Sequence, residues 1–155
     1  MMENVILAPI QVERLYLVDS SFHIEDAPAK DMDQRLGLDI EAKQLEVNDG
    51  EGLVAINLTV NASLVDNEND EEKMRAGTVV FISASASIPE EFSDAEAKEY
   101  LLSNAVSMAY AHAKSCLMGI TGLSPMGVMT LPAILPSVIA HNYLQEDRRP
   151  NQTHS

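Results

Sequence analysis

The fold is decided by the stretch Val54-Ala-Ile-Asn-Leu-Thr-Val-Asn-Ala-Ser-Leu64, in which large apolar side chains alternate with small or polar ones. Successive side chains of a strand point to opposite faces of a sheet, so this period of two predicts a strand with one buried face. Asn57, Thr59, Asn61 and Ser63 form its polar face. A half-buried strand of this kind is typical of an antiparallel sheet with one covered side.

Three further strands are predicted around this one. Asn48-Asp-Gly-Glu-Gly52 is a strong turn signal and joins it to an earlier alternating strand, Leu36 to Ile40. A polar loop is expected from Asp26 to Arg35, and Asp66 to Glu72 is expected to form a solvated turn before a strand from Val80 to Ile88. The first strand is predicted to extend from Ile10 to Ile24, and its mixed parity indicates either two buried sides or a bulge.

The period changes after residue 92, where two helices are predicted. Ser93 with Glu96 fits a capping box, and a long helix is expected from Asp94 to Gly119. Pro136 is placed to open a short helix that continues to Gln145. Four strands followed by two helices predict an α+β fold: an antiparallel sheet with both helices on one face. We expect a single domain over residues 1–147 and a polar tail over residues 148–155.

The distribution of charge is uneven. The formal net charge is −14, yet no Asp or Glu lies between Leu101 and Gln145, and Lys114 is the single Lys or Arg there. The long helix is apolar on more than one face, which predicts that part of its surface forms a self-association interface. The residues expected in this interface are Leu102, Val106, Ala109 and Ala113.

Composition excludes several function classes. The negative charge disfavours nucleic acid and anionic lipid. Three prolines and three glycines between Leu117 and Ala140 argue against a membrane span there. Cys116 is the single cysteine, so no internal disulfide forms and a reducing, cytoplasmic location is expected.

His112 and Cys116 share a helix face, but two ligands do not make a metal site, and no catalytic motif, nucleotide loop or cofactor site is found. An enzyme is therefore not expected.

Two segments resemble the SecB family of bacterial protein-export chaperones. The first is Ile10-Gln-Val-Glu-Arg-Leu-Tyr-Leu-Val-Asp-Ser-Ser-Phe22, which is similar to the family's first strand, and the second is Ala113 to Gln145, with Leu131-Pro132 and Asn142-Tyr143-Leu144. The resemblance covers about Ile10 to Gln145. It implies a SecB-like fold, a homotetramer built as a dimer of dimers, and an ATP-independent holdase that keeps precursor chains unfolded for export through SecA.

The resemblance also implies where partners bind. Unfolded polypeptide would bind a groove between the Leu36–Ile40 strand and the segment from Met126 to Tyr143. The expected lining residues are Leu36, Leu38, Ile40, Met126, Met129, Leu131, Leu135, Ile139 and Tyr143. The export motor SecA would contact Asp19, with the nearby acids Glu71 and Glu72.

The sequence departs from the family in the patch that the resemblance assigns to motor binding, where His23 replaces a glutamate and Glu25 replaces a proline. Three alternatives therefore remain open on the same fold. One is a SecB-like chaperone dedicated to a single client such as an antitoxin. Another is a small-ligand or lipid binder that uses the same groove, and a purely structural oligomer is a third alternative.

Overall fold

A computed structural model describes residues 10–25, 32–124 and 129–148. Four long strands precede two helices along the chain: β1 Ile10–Ile24, β2 Met32–Asn48, β3 Glu51–Asp66, β4 Glu71–Ser87, α1 Asp94–Thr121 and α2 Pro136–Arg148. The strands form one antiparallel sheet in the order β1-β4-β3-β2, so β3 and β4 are central and β1 and β2 are the edges. The predicted α+β class and element order are confirmed.

Pairing extends the strands beyond their predicted limits. β2 begins at Met32 instead of after Arg35, because this polar stretch pairs in register with β3, where Arg35 lies opposite Ser63. β4 begins at Glu71, so the turn before it shortens to residues 67–70. The predicted turn between β2 and β3 is confirmed: Asp49 and Gly50 both have positive φ, as a type I′ hairpin turn requires.

The core lies on one side of the sheet, under the helices. Val54, Ile56, Leu58 and Val60 on β3 face it, beside Val80 and Ile82 of β4, and all are buried. Gly52 lets α1 approach β3 closely, since a Cβ added there would lie 2.6 Å from Leu101 Cδ1. The opposite side of the sheet, which we call the open face, carries the predicted polar row of β3.

The pairing of β1 with β4 explains why its apolar residues fall at both odd and even positions. Its pairing with β4 shifts between Val12 and Arg14 and again between Leu17 and Asp19, so the bulge interpretation is confirmed. Most of β1 is exposed, and the alternative of burial on both sides is wrong. Each shift moves the next side chain to the other face, which explains why apolar residues occupy both parities.

Both helices begin as the sequence predicts and end slightly later. The Ser93 hydroxyl accepts a hydrogen bond from the Glu96 backbone N–H at 3.1 Å and caps α1. The helix passes Gly119 and ends at Thr121, where the Gly122 N–H donates to the Met118 carbonyl at 3.0 Å. α2 starts at Pro136 and continues three residues beyond Gln145, to Arg148.

Candidate functional site

A groove runs between the edge strand β2 and helix α2. Leu38 and Ile40 of β2 lie opposite Val60 and Leu58 of β3, which turns both side chains toward the helix side. With residues of α2 they border a cavity of about 250 Å³, whose full lining is Leu38, Asp39, Ile40, Ile139, Asn142, Tyr143 and Glu146. Four of the predicted groove residues, two on the strand and two on the helix, are thereby brought together.

A second cavity continues the groove along β2. It also measures about 250 Å³ and is lined by Ala42, Leu45, Lys98, Tyr143, Leu144 and Asp147. Tyr143 belongs to both cavities, so they are adjacent. We call the two together the β2–α2 groove. From Leu38 to Leu45 it follows seven residues of strand, which is about 23 Å at the usual rise.

Sequence reasoning missed the second half of this groove. The pairing of β2 with β3 shifts between Ala42 and Gln44, so the residue between them is an extra one. This bulge returns Leu45 to the face of Ile40, although the two differ in parity. The signal in the sequence is that apolar residues occupy even-numbered positions up to Ala42 and odd-numbered positions from Leu45 onward.

The floor of the groove is apolar and its rim is charged. Leu38, Ile40, Leu45, Ile139 and Tyr143 are half-buried and pack against the core, so each keeps part of its surface open to solvent. Asp39, Glu146 and Asp147 stand at the rim with Lys98. Because β2 is an edge strand, its outer backbone groups face no neighbouring strand in the described part of the chain. A groove of this kind presents apolar pockets beside unpaired backbone donors and acceptors.

Two hydrogen bonds fix the segment that leads into α2. The Tyr110 hydroxyl donates to the Pro132 carbonyl at 2.5 Å, and burial raises the pKa of Tyr110 above its usual value. The Thr121 hydroxyl accepts from the Met129 N–H at 2.9 Å. A third contact joins the helices directly, with His141 Nδ1 lying 3.3 Å from Glu99 Oε2. These contacts hold α2 against α1 and so define one wall of the groove.

The other predicted groove residues lie elsewhere. Met129 and Leu131 are 4% and 2% exposed and belong to the core, so they support the groove wall from below and offer no surface to a ligand. Leu135 immediately precedes α2 and is 68% exposed, away from either cavity. Leu36 is half-buried at the edge of the core and lines neither half of the groove. Met126 lies outside the described residues.

The interface residues predicted on α1 are misplaced. Leu102, Val106, Ala109 and Ala113 are all fully buried within a single chain, so they have no surface left for a second copy. The apolar side chains of α1 pack against β3, β4 and α2 of the same chain, which together cover more of the helix than one sheet could. Its exposed side carries small and polar residues, including Ser107, Ala111 and Ser115.

The predicted acidic patch is dispersed. Asp19 is exposed on the open face, opposite Val79 of β4. Glu72 lies seven residues from Val79 along the same strand, which places it about 23 Å away. Glu71 pairs with Lys73 at 3.0 Å and Glu72 with Arg75 at 3.2 Å. The acid in the same cross-strand row as Asp19 is Asp39, because Thr59 pairs with both Val79 and Asp39.

The described residues offer neither a metal-ligand cluster nor a membrane-spanning helix. Within residues 10–25, 32–124 and 129–148, no group of three or more His, Cys, Asp or Glu side chains is arranged to hold a metal ion. No helix in these same ranges is long and apolar enough to cross a membrane.

A solved structure of a SecB-like chaperone shares this architecture. The SecB-like chaperone Rv1957 of Mycobacterium tuberculosis, in complex with a ChAD peptide from the Rv1956 HigA1 antitoxin, superposes with a TM-score of 0.54 over 81% of this chain and 91% of that one, at 12% identity. A Streptococcus agalactiae protein of unknown function superposes with a TM-score of 0.45 over 82% and 99% of the two chains, at 13% identity. No family model and no curated protein matches the sequence. The sheet with its long and short helix is a SecB-like fold.

Proposed function

We propose that this protein is an ATP-independent holdase chaperone that binds extended, apolar segments of unfolded polypeptides in the β2–α2 groove. The observation that carries the proposal is the groove itself, where half-buried apolar side chains stay accessible beside a strand edge that pairs with no other strand in the described residues. An extended client can pair its backbone with such an edge and place alternate side chains in the adjacent pockets. This mode recognises chain conformation and apolar character more than a fixed sequence.

The position of the groove beside a strand edge favours a polypeptide over a small ligand. Its two adjoining halves enclose about 250 Å³ each and share Tyr143 as a lining residue. Two adjoining pockets along about 23 Å of strand suit successive side chains of one extended chain, whose backbone can pair with that edge. The lipid-binding alternative makes no use of the strand edge and therefore has less support from this geometry.

Several copies acting together would supply useful affinity. Ordering an unfolded segment costs conformational entropy, so a single groove binds weakly. Linked grooves raise the effective concentration of the next segment of the same client. We therefore include the homotetramer in the proposal, working in the cytoplasm, with release by handover or competition.

A chaperone dedicated to one client is the second candidate. The Mycobacterium tuberculosis neighbour was solved with an antitoxin peptide, and this favours a similar role on the same fold. Delivery of precursors to SecA is the export variant of the first candidate. In that variant Asp19 is the contact that we propose, since Glu71 and Glu72 are already paired with basic neighbours.

Affinity capture from the native cell lysate, followed by mass spectrometry of bound proteins and small molecules, tests these functions. A general holdase captures many unfolded proteins, a dedicated one captures a single partner, and a lipid binder carries a copurifying ligand. Tyr143→Ala should reduce capture, since this side chain borders both halves of the groove. Gln145→Ala, at an exposed position of the same helix, is the matched control. Equal capture by both variants would refute the groove as the client site.

A further inference from the structure

A separate pocket lies between the first half of α1 and the start of α2. It encloses about 380 Å³, and its lining residues lie between Phe92 and Asn104, with Ser137 added from α2. We call it the α1 pocket. Ser137 and Ile139, which lines the β2–α2 groove, are two residues apart and so point about 200° apart around the axis of α2. The α1 pocket and the groove therefore open on opposite sides of this helix.

Two carboxylates of the α1 pocket can accept further hydrogen bonds. Glu96 and Glu99 both line it and are three residues apart, so their side chains are neighbours on one helix face. The Glu96 carboxylate makes no ion pair and accepts no hydrogen bond within the described part of the chain. One oxygen of Glu99 lies 3.3 Å from His141 Nδ1, which leaves its other oxygen for a donor. Like charges at this spacing repel each other, so a cation between them removes an unfavourable interaction.

The described chain brings no basic side chain to the α1 pocket. Lys98, the single basic residue in the first half of α1, pairs with Asp94 at 3.2 Å and lines the groove instead. The other polar groups of the pocket add acceptors. Asn104 donates its amide N–H to the Tyr100 carbonyl at 2.8 Å, which leaves its amide oxygen to accept, and the Ser103 hydroxyl can accept as well. A pocket that offers mainly acceptors suits an ammonium group, which has three donors and no acceptor.

Two aromatic rings complete the α1 pocket. The rings of Phe92 and Tyr100 meet edge to face, with centroids 5.8 Å apart, and both residues line the pocket. Neither ring is buried: Phe92 is 37% exposed and Tyr100 is half-buried. Aromatic faces attract an ammonium group, and they also offer an apolar surface to the carbon chain that carries it. The combination of carboxylates with rings therefore favours an organic cation over a metal ion.

We propose that the α1 pocket binds a small primary alkylamine in its protonated form. The ammonium group lies between Glu96 and Glu99, and the carbon chain lies against the rings of Phe92 and Tyr100. A volume of about 380 Å³ accommodates an amine of several carbon atoms. The ligand is a free amine and not a lysine side chain of a client, because α2 lies between this pocket and the β2–α2 groove. The inference goes beyond the holdase function and does not depend on it.

Titration of the full chain with n-butylammonium chloride, followed by heteronuclear NMR, tests the site. We expect saturable shifts of the backbone amides from Phe92 to Asn104 and of Ser137. 1-Butanol lacks the charge and tetramethylammonium lacks N–H donors, so each should bind about tenfold more weakly or worse. Glu96→Gln should weaken n-butylammonium binding by about tenfold, because it removes one carboxylate and keeps the shape of the side chain. Glu91→Gln, exposed and outside the pocket, is the matched control and should bind as the wild type does.

Three results would overturn this assignment. Equal losses in Glu96→Gln and Glu91→Gln, or shifts spread over the open face of the sheet, would show only a general attraction of cations to an acidic protein. Tetramethylammonium that binds as tightly as n-butylammonium would exclude a hydrogen-bonded ammonium group. A nine-residue apolar peptide that ends in lysine and displaces n-butylammonium, when the same peptide ending in norleucine does not, would make a client side chain the ligand. The contribution of the rings has its own variant, since Phe92→Leu should weaken n-butylammonium binding by about threefold.

Discussion

Replacing Ile40 with glutamate is expected to weaken client binding sharply while the fold survives. Ile40 borders the first half of the β2–α2 groove, facing Ile139 and Tyr143 across the cavity. Its side chain is half-buried on an edge strand, so a carboxylate there can reach water in the free protein. In the complex, the same carboxylate would be covered by an apolar client side chain and would lose that hydration.

The magnitude follows from the size of the pocket. Full burial of one Leu- or Phe-sized client side chain is worth about 1.5–3 kcal/mol. Losing most of one such contact costs about 2 kcal/mol, which is about a thirty-fold weaker affinity per groove. Desolvation of the new carboxylate adds to this loss. Stability should fall by about 1–2 kcal/mol, since part of the Ile40 side chain is buried in the free protein.

Two assays read out the change. Light scattering measures whether the protein prevents aggregation of a chemically denatured test protein on dilution, and fluorescence anisotropy measures binding of a labelled nine-residue apolar peptide. Gln44→Glu is the matched control, because it adds the same charge to the same strand on the open face, opposite Ala55. If Ile40→Glu keeps the wild-type oligomeric state and also binds and protects as well as Gln44→Glu does, Ile40 has no part in client binding.

Three further outcomes follow from individual contacts. Gly52→Ala should destabilise the protein by about 1–3 kcal/mol in chemical denaturation, since the new Cβ would lie 2.6 Å from Leu101 Cδ1. Gly119→Ala is the control and should stabilise the protein by about 0.5–1 kcal/mol, because a Cβ added there meets nothing within 4 Å. Equal effects of the two substitutions would refute the close approach of α1 to β3. The pKa of Asp66 lies below its ordinary value of 3.8, chiefly because its carboxylate accepts a hydrogen bond from the Glu68 N–H. The contribution of this carboxylate to stability is therefore present above the unfolded-state pKa and is lost as the pH falls through the folded-state pKa. Asp66→Asn should therefore flatten the stability profile of the protein below about pH 4, and an unchanged profile would contradict the hydrogen bond. Asp19→Lys should weaken any binding to SecA in a salt-dependent way, while binding that is absent from the wild type would favour the dedicated-client function.

The strands were the most predictable part of the fold. The alternation on β3 and the Asp-Gly turn before it identify two strands and their register, because one buried face determines which side chains point inward. The ends of β2 and β4 were less predictable. Met32 to Arg35 is a polar stretch that pairs because a long neighbouring strand offers it backbone partners, and that pairing leaves no signature in its own sequence.

The groove was predicted in part, for a related reason. Ile139 and Tyr143 share a helix face by their spacing, and Leu38 and Ile40 share a strand face by parity. Leu45 was missed because the bulge after Ala42 changes that parity, and a bulge of this kind depends on pairing with β3. Met129 was expected on the surface from its loop context, yet its N–H bonds to Thr121 and its side chain enters the core.

The prediction of interface residues on α1 was wrong for a physical reason. The absence of acids after Leu101 indicates coverage, but it does not say whether the cover belongs to the same chain or to another. In this protein α1 is covered on its apolar side by β3, β4 and α2, which buries Val106 and Ala109 completely. The exposed side of α1 carries serine and alanine. Because these residues are small and uncharged, the periodicity of the sequence does not separate this side of the helix from the buried apolar side.

Hydrogen–deuterium exchange with and without a saturating unfolded polypeptide tests the central claim most directly. If clients bind the β2–α2 groove, amides of β2 from Leu36 to Leu45 and of α2 from Ile139 to Asp147 should gain protection. Amides of β1, at the other edge of the sheet, should be unchanged. Protection confined to β1 or to the outer face of α1, with none on β2 and α2, would contradict the assignment of the groove as the client-binding site.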